Sequence, residues 1–445
     1  MSEIWLPELA EWLRIPSVSA DPTHGDDVRA AGEWLCDRIR GAGGTAELVD
    51  WEGQPLAVGE VRASADAEAA PTVLVYGHFD VQPPDPLELW ESEPFEATVR
   101  GEWLYARGVA DDKGQLYLVL KAVEQLAAEG ALPVNVRFAC DGEEETGGHS
   151  IVDFLAADER GADAAVIFDS DMVARGVPAF NVATRGLTYF HLTVRTGARD
   201  LHSGMYGGAA LNAMHALTEI LAAVVPRDGH APEPLRAGIA PLTDEERASW
   251  AALPGGEEEL GGQGARPMDP RATEDFYART WAETAIDVNG IQGGSAVLQK
   301  TVLPVEAQAN VSIRLAPGQE PQRIAAEFER LVNEATPAGA DVELALWSWS
   351  EPGLVPPDAP AIQLALEAFE RALGVRPLLI RSGGTLPIVP ALVHEGIPVV
   401  VTGFALPDSN IHSPNERILV EYVPLGIAAA RELFLAWAAL RDGSG

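Results

Sequence analysis

Five short segments of the sequence concentrate acidic residues and histidines. GHFD contains His78 and Asp80, and NIHSPNE contains His412. The other three segments carry carboxylates, and they are GVADDKG (108–114), DGEEETGG (141–148) and AAVIFD, which ends at Asp169. Imidazole and carboxylate ligands without thiolate suit Zn²⁺ or Mn²⁺, and an excess of carboxylates suits two ions that share one bridging acid. Two such ions, about 3.5 to 4 Å apart, can activate a water and polarise a carbonyl, which is the chemistry of amide hydrolysis.

Each segment also has an ordinary structural explanation. A histidine or acid at a strand end is commonly only hydrogen-bonded, Asp111 or Asp112 could cap the helix that follows, and three adjacent glutamates could be solvated. The elements that position the segments decide between these explanations. Predicted strands end in or just before the acids and histidines, and open α/β sheets place their sites at the carboxyl ends of strands. We therefore expect the five segments to meet at one edge of one sheet.

The chain up to about residue 180 alternates strand-like and helix-like patterns. This alternation predicts an α/β fold with a largely parallel central sheet. The helix after Gly114 carries apolar residues at the three-to-four spacing that packs against a sheet. The predicted strands are 72–80, 132–140 and 164–169, and the predicted helices are 25–41, 114–129 and 148–157.

The pattern changes at about Leu187 and changes back after Pro352. Between them we predict strands at 187–194, 305–315 and 341–348, helices at 208–225 and 319–335, and a loop-rich stretch at 226–271. After Pro352 we predict a helix at 360–373, strands at 377–381 and 397–402, and a last helix from about Val423. The prediction is a catalytic domain formed by 1–186 and 351–445, interrupted by an inserted α+β lid or dimerisation domain at 187–350.

Composition excludes several classes of protein. The formal net charge of −36 repels phosphate backbones and anionic membrane surfaces, so neither nucleic acid nor a membrane is an expected partner. We find no apolar run close to the roughly 18 to 20 residues of a membrane span, and the N-terminal segment lacks the pattern of a signal peptide. The expectation is a soluble, cytoplasmic protein. Since Cys36 and Cys140 are the only cysteines, His and carboxylates must hold any metal.

Longer motifs around these segments resemble those of the cytosolic nonspecific dipeptidases and carnosine dipeptidases. The motifs are GHFDVQPPDP, WESEPFEATVRGEWLYARGVADDKG, DGEEETGG, DLHSGMYGG and HSPNE, and they span residues from about 70 to 420. Aminoacylase, carboxypeptidase G and succinyl-diaminopimelate desuccinylase belong to the same superfamily, and HFDVQP favours its dipeptidase branch. The resemblance implies a zinc-peptidase-like catalytic domain with helices on both faces of the sheet. It also implies a homodimer that hydrolyses dipeptides with a free C-terminal carboxylate.

The resemblance also implies a set of two metal sites. Asp111 would bridge two divalent ions, with Zn²⁺ the first expectation and Mn²⁺ the alternative. The remaining ligands would be His78 and Asp169 at one ion, and Glu145 and His412 at the other.

Two further carboxylates receive roles from the same resemblance. Glu144 would be the general base that takes a proton from the bridging water, and Asp80 would orient His78 by accepting its other ring N–H. The choice of Glu144 and Glu145 among the three glutamates follows from the Thr and Gly after them, as in the family. Similar proteins have a cis peptide bond at the position of Asp111–Asp112.

The inserted domain would supply the substrate contacts. By resemblance, His202 in DLHSG would reach the partner subunit's active site and stabilise the tetrahedral oxyanion. Arg314 would clamp the terminal carboxylate of the substrate, and Thr301 and Thr385 would also contact the substrate. Taken alone, His202 could be an ordinary loop histidine and Arg314 part of a surface ion pair.

Three other functions compete with this prediction. The segment GGSAVLQKT (293–301) approaches a phosphate-binding loop but has Gln299 where that loop needs glycine. A metal-stabilised binding protein without catalysis would lack the general base, and Glu144 is present. Within the superfamily, the alternative is an aminoacylase or carboxypeptidase, which dipeptides and their N-acetylated forms would distinguish.

Overall fold

The computed structural model describes residues 2–384 and 386–443, and the chain divides into two compact units. The first unit contains the chain up to Val182, Val355–Ile380 and the chain from Ala391, and the second contains Ala183–Leu354 and Arg381–Pro390. The second unit extends a few residues beyond the predicted inserted domain at both ends. It also includes Arg381–Pro390, which the prediction kept in the catalytic domain.

The helices and strands are labelled in chain order. The strands are β1 Thr45–Val49, β2 Leu56–Val61, β3 Thr72–Tyr76, β4 Thr98–Arg100, β5 Trp103–Tyr105, β6 Asn135–Cys140, β7 Ala164–Phe168, β8 Ala179–Thr184, β9 Gly186–Arg195, β10 Leu201–His202, β11 Ala285–Gly293, β12 Val302–Leu303, β13 Glu306–Leu315, β14 Asp341–Ser350, β15 Gly353–Leu354, β16 Leu378–Ser382, β17 Val399–Thr402 and β18 Arg417–Leu419. The helices are α1 Ser2–Leu13, α2 Gly25–Gly41, α3 Lys113–Ala128, α4 Ser150–Ala157, α5 Ser203–Tyr206, α6 Ala213–Val224, α7 Asp244–Trp250, α8 Gly256–Gly262, α9 Pro321–Ala335, α10 Pro360–Leu373, α11 Ile388–His394 and α12 Tyr422–Trp437.

A largely parallel sheet forms the centre of the first unit. Its strand order is β1-β2-β6-β3-β7-β17-β8, and the neighbours β6, β3, β7 and β17 are parallel. The pairs β1–β2, β2–β6 and β17–β8 are antiparallel. Every residue of β6 and β7 is buried, as expected where helices cover both faces of a parallel sheet. The predicted α/β fold is confirmed.

Helix α12 corrects one expectation from the sequence. Among the described residues, Tyr422–Leu440 is the one helical stretch long and apolar enough to cross a bilayer, with a mean hydropathy of 1.5. However, α12 packs against α3 and α10 and buries Leu433, Phe434 and Trp437 completely. Its apolar character is therefore explained by its position in the core of the first unit.

The second unit has an antiparallel sheet with the order β11-β13-β9-β14. Along β13, buried residues alternate with more exposed ones, which is the pattern of a sheet with one covered face. Helices α6 and α9 contact this sheet, and the rings of Phe190 and Phe328 lie 4.6 Å apart between β9 and α9. A separate two-stranded ribbon pairs β10 with β12 and carries His202.

Candidate metal centre

The first ligand segment follows directly from β3, whose last residue is Tyr76. His78 pairs with Asp141 as the continuation of the β3–β6 ladder, so both stay at the carboxyl edge of the sheet. His78 and Asp80 are completely buried. A side chain at Gly77 would place its Cβ 2.7 Å from the Asp112 carboxylate, so the close packing here requires glycine.

Asp111 and Asp112 precede α3, and neither side chain caps that helix. The peptide bond between them is cis, as the resemblance implied. Asp112 instead accepts the backbone N–H of His78 at 3.2 Å, so it supports the histidine segment. The capping explanation of this acidic pair is therefore wrong.

The carboxylate of Asp111 lies between two imidazoles. His78 Nε2 is 3.0 Å from its Oδ1, and His412 Nε2 is 2.7 Å from its Oδ2. Asp169 Oδ2 lies 4.0 Å from His78 Nε2, and Glu145 Oε2 lies 3.0 Å from His412 Nε2. The ligand atoms form two groups that share Asp111, and within each group they lie within 4.8 Å of one another.

The electrostatics of these groups suit divalent cations. Although burial opposes it, the hydrogen bond to Asp111 raises the pKa of His78 well above its usual value. Hydrogen bonds to Asp111 and Glu145 raise the pKa of His412 to about 10. Burial, and then the charge of Asp111, raises the pKa of Asp169. The surrounding carboxylates favour positive charge on both imidazoles, and bound cations would supply the same positive charge while leaving the rings neutral.

The three consecutive glutamates have different environments. Glu143 accepts the Ser150 hydroxyl at 2.6 Å and the Gln54 backbone N–H at 2.8 Å, so its carboxylate holds surrounding loops together. Burial raises the pKa of Glu144, whose charge in turn acts on His78. Glu145 has one buried oxygen with no hydrogen-bond partner among the described residues, which fits a ligand atom.

Asp80 lies against the other nitrogen of the His78 ring. His78 Nδ1 is 3.1 Å from the Asp80 backbone oxygen and 3.3 Å from its carboxylate Oδ1. The Ser19 hydroxyl donates to the other carboxylate oxygen at 2.6 Å. The backbone oxygen of Asp80 therefore accepts the ring hydrogen bond, and the carboxylate Oδ1 lies close to the ring without forming a hydrogen bond among the described residues.

Two side chains at this centre were missed by the sequence prediction. Gln82 donates to Glu145 Oε2 at 2.9 Å, and Glu416 accepts the backbone N–H of Asp111 at 3.1 Å. Both lie in motifs that carry the resemblance, HFDVQP and HSPNE. Their place in those motifs was the available signal, but it does not reveal which distant atoms they contact.

The predicted substrate contacts lie in the second unit. His202 ends β10 and is exposed, and the Ser203 backbone N–H donates to the Thr301 carbonyl at 2.9 Å, so His202 and Thr301 are neighbours across the ribbon. Arg314 lies on β13 opposite Leu187 of β9. Thr385 lies outside the described residues.

Arg185 is a further cation near Arg314 that the sequence prediction missed. Burial, and then the charge of Arg314, lowers the pKa of Arg185 to about 10. Its Nε donates to the Gly383 carbonyl at 3.1 Å. Its backbone N–H donates to the Gly384 carbonyl, also at 3.1 Å. Arg185 thus anchors the glycine pair that precedes Thr385 in sequence.

The segment proposed as a phosphate-binding loop is not followed by a helix. Gly293 ends β11, and Thr301 is followed by the short strand β12. A phosphate-binding loop requires a helix whose N-terminus faces the phosphate. The described structure therefore excludes this alternative.

Comparisons with known proteins agree with this centre. Residues 74–436 match the model of Peptidase family M20/M25/M40. Human Beta-Ala-His dipeptidase is 28% identical over 439 residues, covering 92% of this chain and 85% of the relative. The Cys-Gly metallodipeptidase dug1 of Schizosaccharomyces pombe is 28% identical over 456 residues, covering 95% of this chain and 93% of the relative. The solved M20 family metallo-carboxypeptidase Sso-CP2 from Sulfolobus solfataricus is 26% identical, with a TM-score of 0.82, covering 97% of this chain and 99% of that chain.

A largely parallel sheet with paired ligand groups at its carboxyl edge defines a metallopeptidase fold and site. The chain belongs to Peptidase family M20/M25/M40, and it is a peptide-bond hydrolase. The family resemblance predicted from the motifs is confirmed.

Proposed function

We propose that the protein is a dipeptidase that uses two divalent ions to cleave dipeptides with a free C-terminal carboxylate. The observation that carries the proposal is the sharing of Asp111 between two groups of ligand atoms. When bound, the two ions would lower the pKa of a bridging water and polarise the scissile carbonyl. Two of the relatives are named for dipeptides, β-Ala-His and Cys-Gly, which supports this substrate class.

We infer the role of each residue from the family resemblance, and its position supports that role. Asp111 would be shared by the two ions, and the other ligands would be His78 and Asp169 in one group and Glu145 and His412 in the other. Glu144 takes the proton of the attacking water, because it stands next to the ligand Glu145 and no described contact commits its carboxylate to the scaffold. Asp80 orients His78 from the far side of the ring. Zn²⁺ is the proposed ion and Mn²⁺ the alternative.

We propose that substrate binding uses the second unit. Arg314 clamps the terminal carboxylate of the substrate, and Thr301 and Thr385 contact the substrate. His202 belongs to the partner subunit's active site in a homodimer and stabilises the oxyanion. The exposure of His202 on a two-stranded ribbon supports this role, because an exposed imidazole is available to another chain.

A cytoplasmic location is part of the proposal. Cys36 and Cys140 are both free and buried, which suits a reducing compartment. A carboxypeptidase remains the second candidate, because Sso-CP2 shares the fold over nearly the whole of both chains.

The test is metal analysis combined with a substrate panel. Purified protein should contain two divalent ions per chain and hydrolyse β-alanyl-histidine, cysteinyl-glycine or alanyl-leucine. Activity should disappear on chelation and return with Zn²⁺ or Mn²⁺. Asp111→Asn should lose ions and activity, whereas the matched control Asp153→Asn, an exposed residue on α4, should lose neither.

Two results would contradict the proposal. Protein with two ions per chain that leaves every dipeptide intact is not a dipeptidase. Preference for N-acetylated dipeptides or longer peptides over free dipeptides would favour the aminoacylase or carboxypeptidase alternative.

A further inference from the structure

Glu416 is a buried carboxylate with an unusual number of donors around it. None of its surface is exposed, and each oxygen accepts two hydrogen bonds. Oε1 accepts the backbone N–H groups of Ala110 at 2.7 Å and Asp111 at 3.1 Å. Oε2 accepts Arg107 Nη1 at 2.7 Å and the Gly108 backbone N–H at 2.9 Å. Charge-assisted hydrogen bonds of this kind fix the path of a loop more firmly than neutral ones.

Arg107 extends the same arrangement to another loop. Its side chain is 1% exposed, and its Nη2 donates to the Pro83 carbonyl at 3.2 Å. The neighbouring residue, Gln82, donates to Glu145. The Arg107–Glu416 pair therefore ties together the loop that carries Asp111, the loop that supports Glu145 and the loop that carries His412.

A buried ion pair is a poor way to increase stability, because desolvation offsets most of the attraction between the charges. Its geometric effect is specific, since one carboxylate sets the direction of three N–H groups of one loop, those of Gly108, Ala110 and Asp111. We propose that Arg107 and Glu416 are positioning residues that hold the Asp111 carboxylate between His78 and His412, so that the ion sites are preformed. The inference rests on the proposed two-metal function and adds to it the part of the protein that sets ion affinity.

The experiment measures Zn²⁺ affinity in Glu416→Gln, using competition with a chelator. The amide keeps the shape of the side chain but presents an N–H₂ group to the donors around Oε2. We expect binding about 10- to 100-fold weaker than in the wild type, as is usual when the support of a metal ligand is removed. Glu129→Gln is the matched control, because Glu129 forms a surface ion pair with Arg431 in the same unit. Its Zn²⁺ affinity should equal that of the wild type.

A second variant separates positioning from stability. In Glu416→Gln, the Arg107 guanidinium stays buried beside an amide. The double variant Arg107→Met/Glu416→Gln removes that guanidinium. The melting temperature of the metal-free protein should therefore recover toward that of the wild type. Zn²⁺ affinity should stay low, because the loop N–H groups still lack their carboxylate. The double variant also allows the measurement should the single variant fail to fold.

Two outcomes would overturn the inference. One is a lower metal-free melting temperature in Glu416→Gln with Zn²⁺ affinity unchanged, which is the result of a purely structural role. The other is a double variant in which stability and Zn²⁺ affinity recover together. Neither the melting temperature nor the Zn²⁺ affinity is measured with a substrate. The dipeptidase proposal would fail on a different result, which is metal-loaded wild-type protein that cleaves no dipeptide.

Discussion

The carboxylate of Asp80 accepts the backbone N–H of Glu145 at 3.1 Å. Because Asp80 also lies against the His78 ring, one buried side chain connects a proposed ligand of each ion. Both ion sites should therefore respond to a change at this position.

We predict that Asp80→Asn lowers kcat or metal affinity by about 10- to 100-fold. An amide whose oxygen still accepts from Ser19 and Glu145 places an N–H₂ group, rather than a carboxylate oxygen, beside the His78 ring. The measurement is kcat at saturating Zn²⁺ together with a Zn²⁺ titration. Ser19→Ala removes one donor to Asp80, and it should lower kcat and Zn²⁺ affinity less than Asp80→Asn does. Its cost in the free energy of unfolding should be about 1 kcal/mol. Equal kcat and equal Zn²⁺ affinity in Asp80→Asn and the wild type would mean that Asp80 does not support the ligands.

The proposed roles of Glu144 and Glu145 predict opposite behaviour in their alanine variants. Glu144→Ala should keep both ions and lose about 10²- to 10⁴-fold in kcat, because only the proton acceptor is removed. Glu145→Ala should lose an ion. Metal analysis and dipeptide turnover of both proteins distinguish the roles, and metal loss in Glu144→Ala with Glu145→Ala active would reverse the assignment.

Glu143→Gln is the matched control for that pair. Since Glu143 contacts Ser150 and Gln54 rather than the ligand groups, its variant should lose about 1 to 3 kcal/mol of stability at constant ion content.

The proposed sharing of His202 between subunits predicts complementation. His202→Ala and Glu144→Ala should each be inactive alone, and a mixture should regain turnover because a heterodimer contains one site with both residues intact. Up to about one quarter of wild-type activity is expected if subunits exchange at random in equal amounts, since half of the dimers are then mixed and each has one complete site. Verified heterodimers without turnover would show that His202 does not serve the neighbouring subunit.

The buried pair Glu246–Arg381 in the second unit predicts pH-dependent stability. Both side chains are 1% exposed, with Arg381 Nε 2.6 Å from Glu246 Oε1. Although burial opposes it, the hydrogen bond from Arg381 lowers the pKa of Glu246 below its usual 4.5. A carboxyl with a lowered pKa in the folded state contributes stability that is present above about pH 4.5 and lost as the pH falls through the folded pKa.

Glu246→Gln should therefore destabilise the protein by about 3 to 5 kcal/mol near pH 7, because it leaves Arg381 buried without a counter-charge. The difference in the free energy of unfolding between Glu246→Gln and the wild type should become smaller below about pH 4.5. Thermal unfolding across the pH range provides the measurement, with the exposed Glu257→Gln as the control. A difference that is constant with pH would show that the charge of Glu246 contributes nothing.

Local sequence patterns determined most of the elements. Helices α2, α3 and α10 begin and end within a residue or so of their predicted limits, because apolar spacing and flanking polar residues are local signals. The predicted helix at 208–225 begins only at Ala213, where Asn212 accepts the Met214 backbone N–H at 2.8 Å and caps it. The first residues of that prediction, beginning with Gly208, were wrongly included, since glycine favours the loop before such a cap.

The residue types of the metal centre were also visible in the sequence, because the acids and histidines stand at the ends of apolar strands. The motif separated Glu144 and Glu145 from Glu143, but only the tertiary structure showed that Glu143 accepts hydrogen bonds from Ser150 and Gln54. Tertiary structure alone paired Arg107 with Glu416 across 309 positions of sequence. Local patterns record which face of an element is buried, whereas the partner of a buried charge is fixed only when distant loops meet.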